Sequence, residues 1–277
     1  MILADFHIHS SNSGDCEIPM NTQIDSAISK GLCHLCFTEH LDIDYPAPPK
    51  GYIYDSCDFN LDADKYLNEF LDVKSQFSKS NPAFNLYYGV EIGLQEHIVD
   101  SNNDFIYHHP FDFVIASMHL LNGADPYYKE YWTDRDDETE YRRYFESIYK
   151  NICLFNNFDV LGHLDYIVRY GASKDENYSY LKYSDVIDPI LIKIIEMGKG
   201  LEINTGGLKY GLKSTNPSLD ILKRYKELGG KIITIGSDAH SPEYVAYKFS
   251  KAEDILKAAG FNYYNVFRAR MPMTINL

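Results

Sequence analysis

Two histidines, His7 and His9, lie two residues apart at the end of an apolar segment near the start of the chain. The segment at residues 2–8 predicts a buried strand, and side chains two apart on a strand point to the same face. Two imidazoles held side by side supply half of the ligands that a tetrahedral metal site needs. For this motif taken alone, a pair of hydrogen-bonded core histidines is the alternative.

Ligand-type residues also follow the other segments that predict strands. Six of the ten histidines lie at predicted strand ends, which random placement would not favour. Imidazole and carboxylate donors without thiolate suit zinc, iron or manganese, and the carboxylate of Glu91 could bridge two ions. A centre with more than one ion is suited to attack on phosphorus. The residues in question are His7, His9, His40, Glu91, His119, His163, Asp238 and His240.

Seven strand segments alternate with helical segments, a pattern typical of a mostly parallel sheet. Because chemistry in barrels sits at the carboxyl ends of the strands, we predict one closed, TIM-like α/β barrel as a single domain over residues 1–277. A doubly wound open sheet is the alternative, although its ligands gather at one switch point. The predicted strands are residues 2–8, 33–38, 85–90, 113–116, 159–161, 201–203 and 232–235, and the clearest helices are residues 20–30, 61–78, 138–156 and 185–198.

Cap residues predict where the last helices begin. Asn216-Pro217 has the cap-then-proline pattern of a helix start. Ser250 and Glu253 form a candidate capping box. Residues 263–267 predict a short last strand.

Composition and charge limit the classes of function. The formal net charge of −14 argues against broad binding to nucleic acid, which needs lysine and arginine. The five cysteines, with a lone C-x-x-C pair at Cys33 and Cys36, predict reduced thiols. No segment predicts a signal peptide or a membrane span, so we expect a cytoplasmic protein without membrane contact.

Six short motifs, taken together in chain order, resemble one protein family. They are Asp5-Phe6-His7-Ile8-His9-Ser10, Thr38-Glu39-His40, Gly89-Val90-Glu91, Ser117-Met118-His119, Gly162-His163-Leu164-Asp165 and Gly236-Ser237-Asp238-Ala239-His240. The set resembles the polymerase and histidinol phosphatase (PHP) superfamily and, within it, the monofunctional histidinol-phosphate phosphatases. The resemblance implies a distorted TIM-like (β/α)7 barrel that holds two to three divalent transition-metal ions, namely zinc, manganese or iron.

The resemblance also implies how nine ligands are shared among three ions. These are His7, His9, Glu91 and Asp238 around the first ion, Glu91, His119 and His163 around the second, and Asp15, His40 and His240 around the third. Many relatives carry histidine at the position of Asp15, and an oxygen ligand there would weaken or alter the third site. A plain turn at Ser13-Gly14-Asp15 is the alternative.

Two basic residues in loops after predicted strands are candidates for binding phosphate. Arg169 lies six residues past His163, and Lys209 lies five residues past Asn204. By similarity to the family, the two form a phosphate clamp. Relatives often carry arginine at the position of Lys209, so the clamp would be less bidentate here. A solvated surface lysine is the alternative for Lys209.

The resemblance implies hydrolysis of a small phosphomonoester, first of all L-histidinol phosphate in histidine biosynthesis. The metal ions would activate water, and Arg169, Lys209 and the ions would stabilise the equatorial oxygens. Asp238 or His240 would protonate the leaving alkoxide, unless both act as ligands only. The rivals are a superfamily phosphoesterase acting on nucleotides or on sugar or alcohol phosphates, and a non-catalytic metal-binding subunit. Metal identity and oligomeric state stay open.

The amine of histidinol phosphate is positively charged at neutral pH, so we expect a site that selects this ester to have a carboxylate near the metal ions. A long functional loop predicted at residues 42–59 offers Asp42 and Asp44, and the loop after His9 offers Glu17. Asp42 and Glu17 are the preferred pair. Opposite charges near 4 Å contribute on the order of 1–4 kcal/mol, enough for a preference of an order of magnitude or more. Solvated loop acids are the alternative for each of these residues.

Overall fold

A computed structural model describes residues 1–52 and 58–277 of the chain. Seven strands form one sheet, and each strand pairs in parallel with the next one along the chain. Because the strand order never reverses, the sheet has no switch point and is not a doubly wound sheet. The strands are β1 Ala4–Ile8, β2 His34–Leu41, β3 Asn85–Gly93, β4 Phe113–Ser117, β5 Val160–Leu161, β6 Gly200–Asn204 and β7 Ile233–Gly236.

Backbone hydrogen bonds between β1 and the segment after β7 bring the two edges of the sheet together. The amide of Asp238 donates to the carbonyl of His7 at 2.7 Å, and the amide of His9 donates to the carbonyl of Ala239 at 3.0 Å. At this seam a Cβ on Gly236 would stand 2.3 Å from the Cβ of His7, so only glycine allows the close approach. The predicted barrel is confirmed, and its seam lies beside the expected metal ligands.

Eight α-helices occupy the connections in the described chain: α1 Met20–Ser29, α2 Ala63–Ser80, α3 Val99–His108, α4 Asp137–Leu154, α5 Ser184–Glu196, α6 Gly206–Lys209, α7 Leu219–Glu227 and α8 Phe249–Ala258. The helices pack an apolar face against the sheet. In α5, for example, Ile187, Ile190, Leu191 and Ile194 are buried, because positions three and four apart share a helix face.

Several element boundaries differ from the sequence-based expectation, and three of them have an identifiable structural cause. Strand β2 continues to Leu41 instead of ending at Thr38, because its last residues pair with β3. Helix α7 begins after Ser218, since the backbone of Asn216 pairs with Asn204 and is not free to cap a helix. Ser250 lies inside α8, which follows Lys248, so the capping box is wrong.

The predicted last strand is β8 Tyr263–Arg268, and it pairs with an unpredicted strand, β9 Met271–Asn276, in an antiparallel hairpin. No helix within residues 1–52 and 58–277 is long and apolar enough to cross a membrane. The cysteines of the described ranges are free thiols, as predicted. Cys57 and the middle of the loop predicted at residues 42–59 lie outside the described residues.

Candidate metal centre and substrate cavity

The fully buried carboxylate of Glu91 in β3 stands at the centre of the candidate site. In the ladder between β2 and β3, His40 is the register partner of Glu91, so the two side chains are neighbours. Five imidazole nitrogens approach the carboxylate: His7 Nε2 at 3.1 Å, His40 Nδ1 at 3.0 Å and His9 Nε2 at 3.6 Å from Oε2, and His119 Nε2 at 3.2 Å and His163 Nε2 at 2.8 Å from Oε1. Histidines from the carboxyl ends of four strands, β1, β2, β4 and β5, thus meet at the carboxylate that β3 carries.

Asp15, Asp238 and His240 lie on the more exposed side of the same cluster. The Oδ2 atom of Asp15 is 3.1 Å from His240 Nε2 and 3.7 Å from His40 Nε2. The Oδ1 atom of Asp238 is 3.6 Å from His9 Nε2. The ring of His9 also stacks on the rings of His40 and His240, with centroids 4.2 Å from each.

The buried ligand atoms of this cluster fit a set of bound cations. Several of them approach other polar atoms without hydrogen-bond geometry and have no hydrogen-bond partner in the described chain: His7 Nε2, His9 Nε2, Asp15 Oδ1, His40 Nδ1, Glu91 Oε2 and His240 Nε2. Buried polar atoms without partners are costly and rare, whereas metal ions would satisfy them together. Three-residue groups with ligand atoms within 4.8 Å of one another include Glu91 with His119 and His163, and His9 with His40 and His240. Nitrogen and oxygen donors without thiolate suit divalent transition metals.

The electrostatic interactions between the carboxylates and the histidines of the cluster keep the carboxylates in the ionised form that binds metal ions. Burial alone would raise the pKa of Glu91, but His7, His119 and His40 hold it well below the usual range. Burial would lower the pKa of His40, but Asp15 and Glu91 raise it to about 9. In the metal-free protein the carboxylates are therefore ionised, while imidazoles such as His40 hold protons that a metal ion would displace.

Glu202 in β6 supports His7 from behind and was not predicted. Its Oε1 lies 2.6 Å from His7 Nδ1, and its Oε2 accepts a hydrogen bond from the amide of His163 at 2.9 Å. The contact at Nδ1 leaves Nε2 of His7 facing the cluster. One feature of the sequence could have indicated this role. Glu202 is a charged residue within an apolar strand, and it lies two positions before Asn204, so the two side chains share a face of the sheet.

Two further carboxylates orient ligand histidines. Both oxygens of Asp42, which is buried, lie 3.0 Å from His119 Nδ1. Asp42, which the sequence offered as a candidate substrate contact, is thereby engaged by a candidate ligand histidine. Glu39 accepts a hydrogen bond from Ser13 Oγ at 2.6 Å, and Ser13 Oγ lies 3.1 Å from His9 Nδ1.

The guanidinium of Arg169 is buried beside the cluster and held by three acceptors. Its Nε donates to Asn216 at 2.8 Å, its Nη2 to Asn204 at 2.9 Å, and its Nη1 to Asp238 at 3.1 Å. Asn216 is fixed in turn by Asp165, to which it donates at 2.5 Å. Arginine carries five N–H donors, so two have no acceptor in the described chain and remain for a ligand.

Lys209 and Glu17, which were also expected to bind substrate, differ from each other in position. Lys209, at the end of α6, lines the cavity, with its Nζ 4.3 Å from the ring centroid of Tyr244. No carboxylate in the described ranges lies within ion-pair distance of it. Glu17 is exposed and does not belong to the cavity wall. The neighbouring loop acid Asp44 is also exposed and pairs with His97 at 3.2 Å.

A cavity of about 260 Å³ opens beside the cluster. Arg169 and Lys209 line it together with seven aromatic side chains and the acids Asp42 and Asp125. Mixed aromatic and polar walls of this kind are typical of small-molecule sites. Six of the nine expected ligands also line it, namely Asp15, His40, His119, His163, Asp238 and His240.

A family model described as the PHP domain matches residues 5–206, which is most of the chain. The chain belongs to the PHP domain family. The match begins before His7 and extends past Asn204, so it includes most of the ligands at the strand ends. The family resemblance expected from the six motifs is thus confirmed.

Several known proteins that are similar to this chain are named for one activity. The chain is 35% identical over 248 residues, with 90% of each sequence covered, to a Clostridium acetobutylicum protein named "Probable histidinol-phosphatase". It is 32% identical to the histidinol-phosphatase of Lactococcus lactis subsp. lactis, covering 93% of this chain and 91% of the relative. The crystal structure of histidinol phosphate phosphatase from the same organism, complexed with zinc, L-histidinol and phosphate, superposes with a TM-score of 0.85 at 30% identity, covering 98% of each chain.

Proposed function

We propose that this protein hydrolyses L-histidinol phosphate to L-histidinol and inorganic phosphate, and that residues 1–277 act as one phosphatase domain in histidine biosynthesis. The support from comparison is the shared name of the relatives and the ligands of the crystallised neighbour. The observation that carries the proposal is a single cavity with metal-capable residues on one part of its wall and two basic side chains on another.

We infer that the cluster holds two to three divalent ions. Zinc is the first candidate, because the crystallised neighbour contains it, and manganese and iron are the alternatives. When bound, such ions activate water for attack on phosphorus and stabilise charge on the transferred group. The proposed ligands are His7, His9, Asp15, His40, Glu91, His119, His163, Asp238 and His240.

The proposed roles of the remaining residues follow from where they lie. The two unused N–H donors of Arg169 would bind phosphoryl oxygens, and Lys209 would add a second positive charge. Asp238 and His240, whose side chains are 11% and 22% exposed, are more accessible than the fully buried His7 and Glu91. Burial would lower the pKa of His240, but Asp15 raises it, so His240 can carry the proton that the leaving alkoxide needs. Burial would raise the pKa of Asp238, but His7, His9 and Arg169 hold it well below its usual range, so Asp238 would act as a ligand.

Phosphate release from a panel of esters tests this proposal. Metal-loaded protein should show a higher kcat/KM for L-histidinol phosphate than for glycerol phosphate or a nucleoside monophosphate. Metal analysis of the same sample should find more than one equivalent per chain, and strong chelation should abolish activity. A better kcat/KM for the nucleotide would refute the histidinol assignment alone. Full activity after thorough metal removal would refute the metal-dependent mechanism as well.

We also propose that the enzyme works in the cytoplasm on a small-molecule phosphate ester. The free thiols of Cys16, Cys33 and Cys36 support this location, because thiols persist in reducing compartments. Fractionation of the source cells, followed by detection of the protein in the soluble and membrane fractions, would test it.

A further inference from the structure

We infer that Asp125 recognises the ammonium group of the substrate, in an anionic subsite with aromatic walls. This inference rests on the proposed function, because it assigns the part of the cavity that receives the rest of the ester. Of the acids expected from the sequence, Glu17 and Asp44 are exposed outside the cavity wall, and Asp42 lines the cavity but is paired with His119. A different carboxylate therefore has to balance the positive charge of the substrate.

Asp125 is buried, lines the cavity and is held in place by neutral donors. The hydroxyl of Tyr45 donates to its Oδ2 at 2.5 Å, and the amide of Tyr127 donates to its Oδ1 at 2.8 Å. A carboxylate has about four lone-pair positions, so these two bonds orient the group without saturating it. The remaining capacity is available to a ligand in the cavity.

The described chain places no lysine, arginine or histidine within ion-pair distance of Asp125. This separates it from Asp238 on the same wall, which pairs with Arg169 at 3.1 Å. Asp5 and Asp165 are also buried without a cation, but each accepts three hydrogen bonds from protein donors and neither lines the cavity. Asp125 thus lines the cavity and has no ion-pair partner among the described residues. A buried carboxylate in this position favours a cationic ligand.

The two basic residues of the cavity wall and Asp125 lie in loops that follow different strands. Arg169 and Lys209 follow β5 and β6, whereas Asp125 follows β4 and its partner Tyr45 follows β2. An ester with its phosphate at the basic side would turn its organic part towards Asp125. In histidinol phosphate the amine is only two carbons from the ester oxygen, so it remains close to the metal centre.

Aromatic rings around Asp125 complete a site for an organic cation. Tyr45 packs on Phe59 with ring centroids 4.4 Å apart, and Tyr127 packs on Tyr170 at 5.6 Å. All four rings line the cavity. Ring faces attract ammonium groups, and the apolar surface suits the carbon skeleton and the imidazole of the substrate. The subsite thus matches an amine-bearing phosphomonoester better than a sugar phosphate.

The test compares L-histidinol phosphate with an analogue that lacks the amine, in metal-loaded wild type and in Asp125→Asn. The amide keeps the shape of the side chain and removes its charge. We expect the ratio of the two kcat/KM values to fall at least tenfold in Asp125→Asn. The matched control is Asp44→Asn, which neutralises an exposed acid next to Tyr45 and should keep the wild-type ratio. An unchanged ratio in Asp125→Asn would overturn the inference.

Calorimetric binding of L-histidinol separates this inference from the proposed function. If the wild type hydrolyses neither ester, the proposed function fails, and the binding measurement still decides the subsite. We expect Asp125→Asn to bind L-histidinol at least tenfold more weakly than the wild type, with Asp44→Asn as the control. Equal affinities in wild type and Asp125→Asn would refute the role of Asp125, whatever the catalytic result.

Discussion

His7 shows how a single side chain is prepared for its role by residues distant in sequence. Its Nδ1 contacts Glu202, 195 residues later in the chain, so its Nε2 faces Glu91. A carboxylate behind an imidazole fixes the ring orientation and increases its basicity, which strengthens metal binding. His119 has the same arrangement, with Asp42 behind its Nδ1.

Neutralising Glu202 should weaken metal binding without removing any ligand. For Glu202→Gln we expect metal affinity to fall by about 10- to 100-fold, because the ring of His7 loses its charged partner. Activity should recover when excess zinc is added. Competition with a coloured chelator measures the affinity, and Glu196→Gln, at an exposed position of α5, is the control. Wild-type affinity in Glu202→Gln would show that the contact is only structural.

Arg169 and Lys209 should contribute unequally to phosphate binding. We expect Arg169→Met to lose about 100-fold in kcat/KM, since it removes pre-oriented donors from the transferred group. Lys209→Met should lose less, because a lysine offers a point charge instead of a planar fork. Steady-state kinetics on one ester measures both variants. Metal analysis is the control, because loss of metal in Arg169→Met would mean that the arginine acts through Asp238.

The seam between β1 and the end of β7 is the element on which the geometry of the site depends most directly. Both sides of the seam carry candidate ligands, and backbone hydrogen bonds hold the two sides together. A Cβ at Gly236 would also stand 2.5 Å from Glu202 Oε1. The absence of a side chain at Gly236 therefore allows His7 and Glu202 to pack directly against the backbone of the seam. Packing and metal binding are therefore coupled at this position.

Gly236→Ala should damage both stability and metal binding. Overpacking of this kind costs about 1–3 kcal/mol of unfolding free energy, and the strands must separate to accommodate the methyl group. The control is Gly198→Ala, which has open space around it and adds only the strain of its positive φ of 67°. Urea unfolding and metal analysis should show that only Gly236→Ala loses metal. Normal metal content in Gly236→Ala would contradict this coupling.

The pattern of apolar segments was sufficient to predict the order of the elements, but not several of their ends. Strand β2 extends to Leu41 because of its partner β3, and that pairing is invisible in the sequence of β2 itself. The same extension puts His40 and Asp42 on one face, a period-two signal that could have revealed the contact with His119. Strand β9 was missed because it is short, mostly exposed and contains Pro272, so its apolar alternation is weak.

At the scale of the whole molecule, the candidate ligands could be predicted without a structure because most of them follow predicted strands. Parallel strands in a barrel bring their carboxyl ends to one place, so the predicted set converges. Glu202, Asn216 and Asp125 were missed because their roles depend on contacts between distant segments. Chain proximity to His40 and His9 was the available guide to an acid near the substrate, and it pointed to Asp42, which lines the cavity, and to Glu17, which does not.

Metal binding by the stripped protein should release protons and strengthen as pH rises. The pKa of His40 in the metal-free site is raised to about 9, so below that pH a metal ion competes with a proton for the ring. Zinc affinity should therefore increase from about pH 6 to about pH 9 and then level off. Calorimetric titrations in buffers with different ionisation enthalpies measure the released protons. Heats independent of the buffer would contradict the predicted protonation.

The seam also has a consequence for the synthesis of the protein. Asp238 and His240 are translated more than two hundred residues after their partners His7 and His9. A nascent chain halted before Gly236 has an open sheet edge and lacks two of the candidate ligands, so the complete centre cannot form until the segment after β7 has been translated. Ribosome-bound chains of increasing length should accordingly retain zinc only after His240 has emerged, and earlier retention would show that part of the centre assembles during translation.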